Sequence, residues 1–249
     1  MNKRKRSIFA IAIGLLMLLA WADPVSAADL ELPGINLPDE PQSVGNTVTI
    51  LLLLTVLSLA PGILIMMTCF TRIVIVLGFV RTALATQQMP PNQVIIGLAL
   101  FMTLFVMAPT LSEVNETALQ PYLQGEITQQ EAIRQAAIPI KEFMAKHTRE
   151  KDLLLFLDHA GAERPASVQD IPLTALVPAF AVSELKTAFQ MGFMIFVPFL
   201  VIDMVVASVL MAMGMMMLPP VMISLPFKIL LFILVDGWHL VVKSLLLSF

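Results

Sequence analysis

Four apolar stretches dominate the chain and restrict it to folds that bury helices in a membrane or against other protein. They cover residues 48–85, 94–109, 188–218 and 221–249. Of the 249 residues, 58% are hydrophobic and 13% are charged, whereas soluble domains carry about 25% charged residues. No alternation of apolar and polar residues indicates a strand, so we predict an all-α, membrane-associated protein built from helical hairpins.

The first residues predict a secretory signal peptide. The basic segment MNKRKR precedes the apolar run SIFAIAIGLLMLLAWA, and small side chains follow at Val25 and Ala27. Because this run is short for a membrane span, we predict cleavage between Ala27 and Ala28, with an uncleaved anchor helix as the alternative. The mature N-terminus would then lie outside the cytoplasm of a bacterial cell.

Changes in composition divide the chain into five segments. They are the signal peptide (1–27), a flexible leader (28–46), a first helical hairpin (47–110), a polar helical insertion on the extracytoplasmic side (111–183) and a second hairpin (184–249). Within the insertion, Thr128 and Glu131 have the spacing of a capping box and predict the start of a helix. Pro139 is expected to end or kink that helix.

A simple arrangement of four membrane spans fits the apolar stretches badly. Residues 48–85 would form a helix about 57 Å long against a hydrocarbon core of about 30 Å, and Pro61 and Gly62 should break it. Ionisable residues in apolar surroundings cost a few kcal/mol each unless protein or water faces them. Those that we expect to be buried are Arg72, Arg81, Asp203, Asp236 and His239. We therefore predict an oligomer.

Charged residues around the turn at Pro219 and Pro220 allow a first estimate of pairing. Counted from Pro219, Asp203 lies about 24 Å up one arm and Lys228 about 13 Å up the other. Such a difference in depth excludes a direct ion pair, so Lys228 should pair with an acid elsewhere, for which Glu184 is a candidate. Ser183 is the expected N-cap of the following helix, with Glu184 in its first turn.

Several function classes have no support in the sequence. No glycine-rich phosphate loop with a lysine occurs, and His147, His159 and His239 lack the spacing of a zinc site. No nucleophile motif stands out, and a net charge of −3 provides no basic field for nucleic acid. We expect no enzymatic activity, no cofactor or metal and no nucleic-acid partner.

The segment LMAMGMMMLPP, residues 210–220, is rich in methionine and ends in two prolines. Three interpretations are open from its spacing. The methionines could fill gaps in an apolar helix, since their side chains are flexible. The thioethers of Met211, Met213 and Met215 could bind Cu(I). A ring of methionines from several subunits could also form a deformable seal across a pore.

Two long blocks of sequence resemble the FliP family of flagellar protein-export gate subunits. They are PAFAVSELKTAFQMGFMIFVPFLVIDMVVASVLMAMGMMMLPPVMISLPFKILLFILVDGW (178–238) and MMTCFTRIVIVLGFVRTALATQQMPPNQVIIGLALFMTLFVMAP (66–109), and PYLQGEIT matches more loosely. The resemblance implies a helical multi-subunit channel of the flagellar type III secretion apparatus, at the inner membrane within the basal body and on its extracytoplasmic side. Implied partners are further copies of the chain, FliR and FliQ, FlhA and FlhB on the cytoplasmic side, and unfolded flagellar subunits that pass through the channel.

The resemblance also implies roles for particular residues. Met215, Met216 and Met217 match the pore gasket of the family, which leaves Met211 and Met213 as packing residues. Glu184 and Lys228 match its intersubunit ion pairing. A cleavable signal peptide favours the flagellar branch over an injectisome (virulence-type) gate subunit. A transporter of small solutes or Cu(I) and a purely structural scaffold are the remaining alternatives.

Overall fold

The computed structural model describes residues 42–86, 88–162, 164–215 and 217–249. All regular structure within these ranges is helical and no strand occurs in them, which confirms the predicted all-α class. The predicted signal peptide, its cleavage site between Ala27 and Ala28, most of the predicted leader, and Met216 lie outside the described residues. Residues 42–46, which we assigned to the leader, are helical.

Nine α-helices follow one another in the part of the chain that the structure describes. They are α1 (Gln42–Met66), α2 (Phe70–Ala83), α3 (Asn92–Val114), α4 (Gln120–Leu123), α5 (Gln129–His147), α6 (Glu150–His159), α7 (Leu173–Ala212), α8 (Pro220–Leu234) and α9 (Gly237–Leu246). A π-helical segment (Asn115–Leu119) joins α3 to α4, and a short 3-10 turn (Val168–Asp170) precedes α7.

The described residues divide into two units, the first ending at Leu57 and the second running from Ser58 to Phe249. In the first unit, the described residues belong to the N-terminal part of α1, where the leucines from Leu51 to Leu54 are exposed. The second unit contains the rest of α1 and all other helices. It therefore also contains every candidate site residue that the structure describes.

Packing of α2 against α7 forms the main core of the second unit. Ile73, Val76, Leu77 and Val80 recur at the spacing of one helix face, and all four are buried. The ring of Phe79 meets that of Phe189 on α7 edge to face, with 5.4 Å between the ring centroids. Gly192 lies directly under the Phe79 ring, where a Cβ atom would collide with it.

A second cluster joins the polar region to the start of α7. Met144 of α5 packs there with Ile171, Leu176 and Phe180, and all four side chains are buried. Helix α5 begins as predicted, because Thr128 Oγ1 accepts a hydrogen bond of 3.3 Å from the backbone amide of Glu131. The reciprocal half of the predicted capping box is replaced by a bond from Gln135 Nε2 to Glu131 Oε1 (2.8 Å).

Three predicted helix boundaries are wrong. Helix α1 continues through Pro61 and Gly62, and the chain leaves it only at 67–69. Helix α5 does not end at Pro139 but continues to His147, while the alternative, a kink at Pro139, stays a prediction. Ser183 is no N-cap, since α7 begins at Leu173 and places Ser183 in its interior. Proline removes only one backbone hydrogen bond, and the remaining bonds and tertiary packing can carry a helix past it.

The predicted segment boundaries followed changes in polarity, and two of them fall inside helices. The boundary at 110/111 lies within α3, and that at 183/184 lies within α7. Polarity changes along both helices because part of α3 packs against α5, and part of α7 packs against α5 and α6, whereas the backbone hydrogen bonds continue unbroken.

Two helical stretches of the described chain are long and apolar enough to cross a membrane. They are Asn92–Leu123, with 32 residues, and α7, with 40 residues. Helices α8 and α9 meet this condition only together, and they are bent by 62° where Asp236 adopts a left-handed conformation (φ 50°). The predicted apolar segment 221–249 is therefore a broken helix, and by length and composition the described residues include two or three candidate spans, compared with four apolar stretches in the sequence.

Candidate functional site

Helices α7 and α8 form a hairpin whose connection is set by local backbone geometry. The amide of Met215 donates to the carbonyl of Leu210, and that of Gly214 donates to Met211, both at 3.0 Å. With Gly214 at φ 74°, these two bonds make a Schellman motif that ends α7 at Ala212. Helix α8 then starts with Pro220 at its first position, where a missing amide costs nothing. We call residues 213–219 the methionine loop.

The methionine loop exposes its side chains. Met217 is 98% exposed and Met215 is 39% exposed, while Met216 is outside the described residues. Met211 and Met213 are exposed in the single chain as well, and their packing against other subunits stays a prediction. Met213 borders an apolar groove of about 610 Å³ between α7 and α8, which no described part of the chain fills.

Asp203, Ser224 and Lys228 form a polar cluster between the two arms of the hairpin. Lys228 Nζ lies 2.6 Å from Asp203 Oδ2, and the Ser224 hydroxyl donates to Asp203 Oδ1 at 2.5 Å. Lys228 is only 2% exposed in its side chain, and that of Asp203 is 26% exposed. The prediction that Asp203 and Lys228 cannot pair is wrong.

The error came from the reference point of the depth estimate. Counting from Pro219 assumes that α7 reaches the proline turn, whereas it ends at Ala212. Measured from the helix ends, Asp203 lies nine residues, about 13 Å, before Ala212, and Lys228 lies eight residues, about 12 Å, after Pro220. The two side chains therefore stand at the same height.

Glu184 pairs within the chain with Arg72, which connects α7 to α2. Arg72 Nε donates to Glu184 Oε2 at 2.8 Å, and Arg72 Nη2 makes a second bond to Oε1. Arg72 Nη1 donates to the Ser248 carbonyl at 2.8 Å, and the guanidinium lies 3.9 Å over the centre of the Phe249 ring. Arg72 is buried as predicted. Pairing of Glu184 with Lys228 between subunits stays a prediction.

His147 lies beside this group of contacts. Its ring is 4.9 Å from the Phe143 ring and 5.3 Å from the Phe249 ring, measured between centroids. Partial burial, and after it the positive charges of Arg72 and Lys146, lower the pKa of His147 to about 4. The imidazole is thus neutral at physiological pH.

The other ionisable residues that we predicted to be buried are more open in the single chain. Arg81 is half-buried and donates to Asn92 Oδ1. Asp236 and His239 are exposed. Asp236 lies at the bend between α8 and α9, where its carbonyl accepts a bond of 3.1 Å from the amide of Leu240. Burial of these groups against other subunits stays a prediction.

Sequence reasoning missed two parts of the polar interior. Ser224 lies four residues before Lys228, a spacing that places both on one helix face and could have indicated a shared partner. Ser183 accepts a bond of 3.0 Å from the amide of Arg149 and donates to Asp152 Oδ2 at 2.7 Å, which ties the start of α6 to α7. No local pattern indicates that connection.

Among the described residues, no group of three or more His, Cys, Asp or Glu side chains could hold a metal ion. What the fold does present is a long apolar helix, a bent partner helix, and a methionine loop where they join. These features define a helical membrane protein whose most unusual surface is the tip of an apolar hairpin.

Comparison with known proteins identifies the family. The pattern of the FliP family matches residues 53–245, and the chain belongs to that family. It is 72% identical over 210 residues to the flagellar biosynthetic protein FliP of Bacillus subtilis (strain 168), covering 84% of this chain and 95% of the relative. Identity is 51% over 246 residues to that of Pectobacterium carotovorum subsp. carotovorum (97% and 92% covered) and 48% over 221 residues to that of Aquifex aeolicus (strain VF5) (88% and 92% covered).

Membership of this family confirms the resemblance that the sequence indicated. It makes the chain a component of flagellum biosynthesis and protein export. Its apolar helices agree with a location in a membrane.

Proposed function

We propose that the chain is a channel-forming subunit of the flagellar export gate, through which unfolded flagellar subunits cross the inner membrane. It assembles with further copies of itself and with FliR and FliQ, and FlhA and FlhB join on the cytoplasmic side. The assembly projects to the extracytoplasmic side of the inner membrane within the basal body. The chain has no catalytic role, and its partners supply the energy for export.

Exposure of the methionine loop carries this proposal. Gly214 and the two prolines fix the backbone at both ends of the loop, while the side chain of Met217 is 98% exposed and that of Met215 is 39% exposed. A thioether side chain has three rotatable bonds and adapts to irregular surfaces. Several such loops around one axis would close a pore and yield to a passing polypeptide.

Extensive unpartnered apolar surface supports assembly with other chains. Helix α7 alone exposes large side chains along much of its length, among them Phe189, Phe193, Met194, Val201 and Met204. Its 40 residues extend about 60 Å, twice the thickness of the hydrocarbon core. Because lipid cannot cover the whole of such a helix, neighbouring subunits are the natural cover for the remainder.

A leak assay on assembled gates tests the proposal. We expect that changing Met215, Met216 and Met217 together to alanine raises ion permeability of the membrane while the gate still assembles. A matched control changes three exposed methionines outside both the loop and α7, Met66, Met89 and Met222, to alanine.

The control triple should leave permeability unchanged in gates of normal mass. Assembled gates of the loop triple that stay tight and export normally would favour a structural scaffold. Stoichiometric copper in the purified parent protein, lost in the loop triple, would favour a Cu(I) transporter instead.

A further inference from the structure

The Asp203–Ser224–Lys228 cluster is a polar contact inside an apolar hairpin. Each carboxylate oxygen of Asp203 accepts one bond from α8, from Lys228 and from Ser224 respectively. Ser224 and Lys228 are both buried. Among the described residues, the side-chain hydrogen bonds between α7 and α8 all end on Asp203.

Apolar packing alone gives this hairpin little to define how the two helices are aligned. The groove between the arms has a volume of about 610 Å³ and is lined mostly by aliphatic side chains of similar shape. They include Val201, Val205, Val206, Val209 and Ile223. Sliding one helix past the other by a turn, about 5.4 Å, would exchange one aliphatic contact for another.

The polar cluster responds differently to such a slip. A shifted register would leave a buried ammonium and a carboxylate without partners, which costs several kcal/mol. The structure has one consistent antiparallel register, since Phe199, four residues before Asp203, meets Phe232, four residues after Lys228, at 6.3 Å between ring centroids. The ion pair and this ring contact therefore belong to the same alignment.

Register has a direct consequence for the methionine loop. Asp203 and Lys228 stand at about 13 and 12 Å from the ends of their helices, and both ends are defined by the backbone. A change in the register of α7 against α8 must be absorbed by residues 213–219, which would tilt or retract the exposed methionines.

We propose that Asp203, Ser224 and Lys228 are positioning residues, which fix the register of α7 against α8 and so hold the methionine loop at a constant height. The inference rests on the proposed role of the loop as a seal. It states that a polar contact within each chain sets the height of that chain's methionine loop.

A variant that separates register from stability tests the inference. Asp203→Leu combined with Lys228→Met replaces the ion pair by apolar side chains, a change that is often neutral for stability. We expect this double variant to assemble but to leak ions. The leak should be absent in Phe199→Leu with Phe232→Leu, a control that weakens packing and keeps the polar cluster.

Register is measured directly by spin labels on Met194→Cys and Ile233→Cys, two exposed positions on α7 and α8. Labelled chains are diluted with unlabelled ones, so that distances within one chain dominate. The parent should give one narrow distance, and the Leu/Met double variant a second one, shifted by about 2–4 Å, because a slip of one turn runs along the helix axes while the labels are also separated across them. Should that variant fail to assemble, the same distances are measured in the detergent-solubilised full chain.

Charge exchange provides the decisive comparison. Asp203→Lys with Lys228→Asp should restore a single distance and a tight membrane, which Lys228→Asp alone lacks. One narrow distance and no leak in the Leu/Met double variant would overturn the inference. The inference would also be overturned if Glu184→Lys rescued Lys228→Glu while Asp203→Lys failed to rescue Lys228→Asp. Lys228 would then pair with Glu184 and not with Asp203. Failure of the seal itself is separate, because it appears as a tight Met215–217 alanine triple whatever the distances are.

Discussion

Replacing Glu184 with alanine removes the carboxylate that neutralises the buried Arg72. Glu184 is fully buried and accepts two hydrogen bonds from the guanidinium. Without it, Arg72 keeps only the Ser248 oxygens and the face of the Phe249 ring. Loss of one partner from a buried ion pair costs about 3–5 kcal/mol, because the other charge is left in a poorly solvated site.

Thermal unfolding of the purified full chain in detergent measures this effect. A free-energy loss of 1 kcal/mol lowers Tm by about 2–4 °C in a chain of this size, so Glu184→Ala should lower Tm by about 6–20 °C. Glu184→Gln retains an acceptor oxygen and the side-chain volume, and should fall between Glu184→Ala and the parent. Glu142→Ala, which removes an exposed carboxylate on α5, is the control and should change stability by less than about 0.5 kcal/mol.

The apolar double variant Arg72→Leu with Glu184→Leu separates pairing from burial. It removes both charges together and should therefore be more stable than Glu184→Ala. If Glu184→Ala unfolds within about 4 °C of the Glu142→Ala control, a shift worth about 1 kcal/mol, the reasoning is refuted. Arg72 would then have found another acceptor or water without cost.

Three further changes have definite expected outcomes. Gly192→Ala should cost about 1–3 kcal/mol, seen as a lower Tm, because its Cβ would force the Phe79 ring out of place. Thr128→Ala should cost about 0.5–2 kcal/mol and speed hydrogen exchange at the Glu131 amide, since it removes the cap of α5. Stability should also fall as pH drops from 6.5 towards 4, because the unfolded chain protonates His147 in this window while the folded chain does not, and His147→Gln should reduce that slope.

Each of these outcomes has a clear opposite. An unchanged Tm for Gly192→Ala would show that the Phe79 ring can turn aside freely. If Tm falls instead, adding Phe79→Leu to Gly192→Ala should restore part of the lost stability. Unchanged exchange at Glu131 would mean that another group caps α5. Equal pH slopes for the parent and His147→Gln would show that His147 binds protons alike in both states.

Local features of the sequence were sufficient for the class of fold and the position of the loop. Apolar composition excludes a soluble chain, and the absence of alternation excludes strands. Gly214 allows the left-handed conformation that ends a helix, and the two prolines suit a helix start. The end of α7 and the start of α8 therefore lie close to these residues. Thr128 marks a helix start for the same reason.

Which charged residues pair with each other could not be predicted from local features of the sequence. Arg72 and Glu184 are 112 residues apart, so no spacing along the chain indicates their contact. For Asp203 and Lys228 the spacing was available, but the estimate took the proline turn as the end of α7. Counting instead to Ala212, just before Gly214, places both side chains at one height.

By itself, the sequence determined an all-α chain with membrane-length helices, a methionine loop between two of them, and ionisable residues that require partners. It could do so because helix formation, chain reversal and the cost of an unpaired charge depend on neighbours along the chain. Only the tertiary structure decided which partners these are, Arg72 for Glu184 and Asp203 for Lys228. Partner choice depends on which helix faces meet and at what register, and many side chains far apart in sequence set that together.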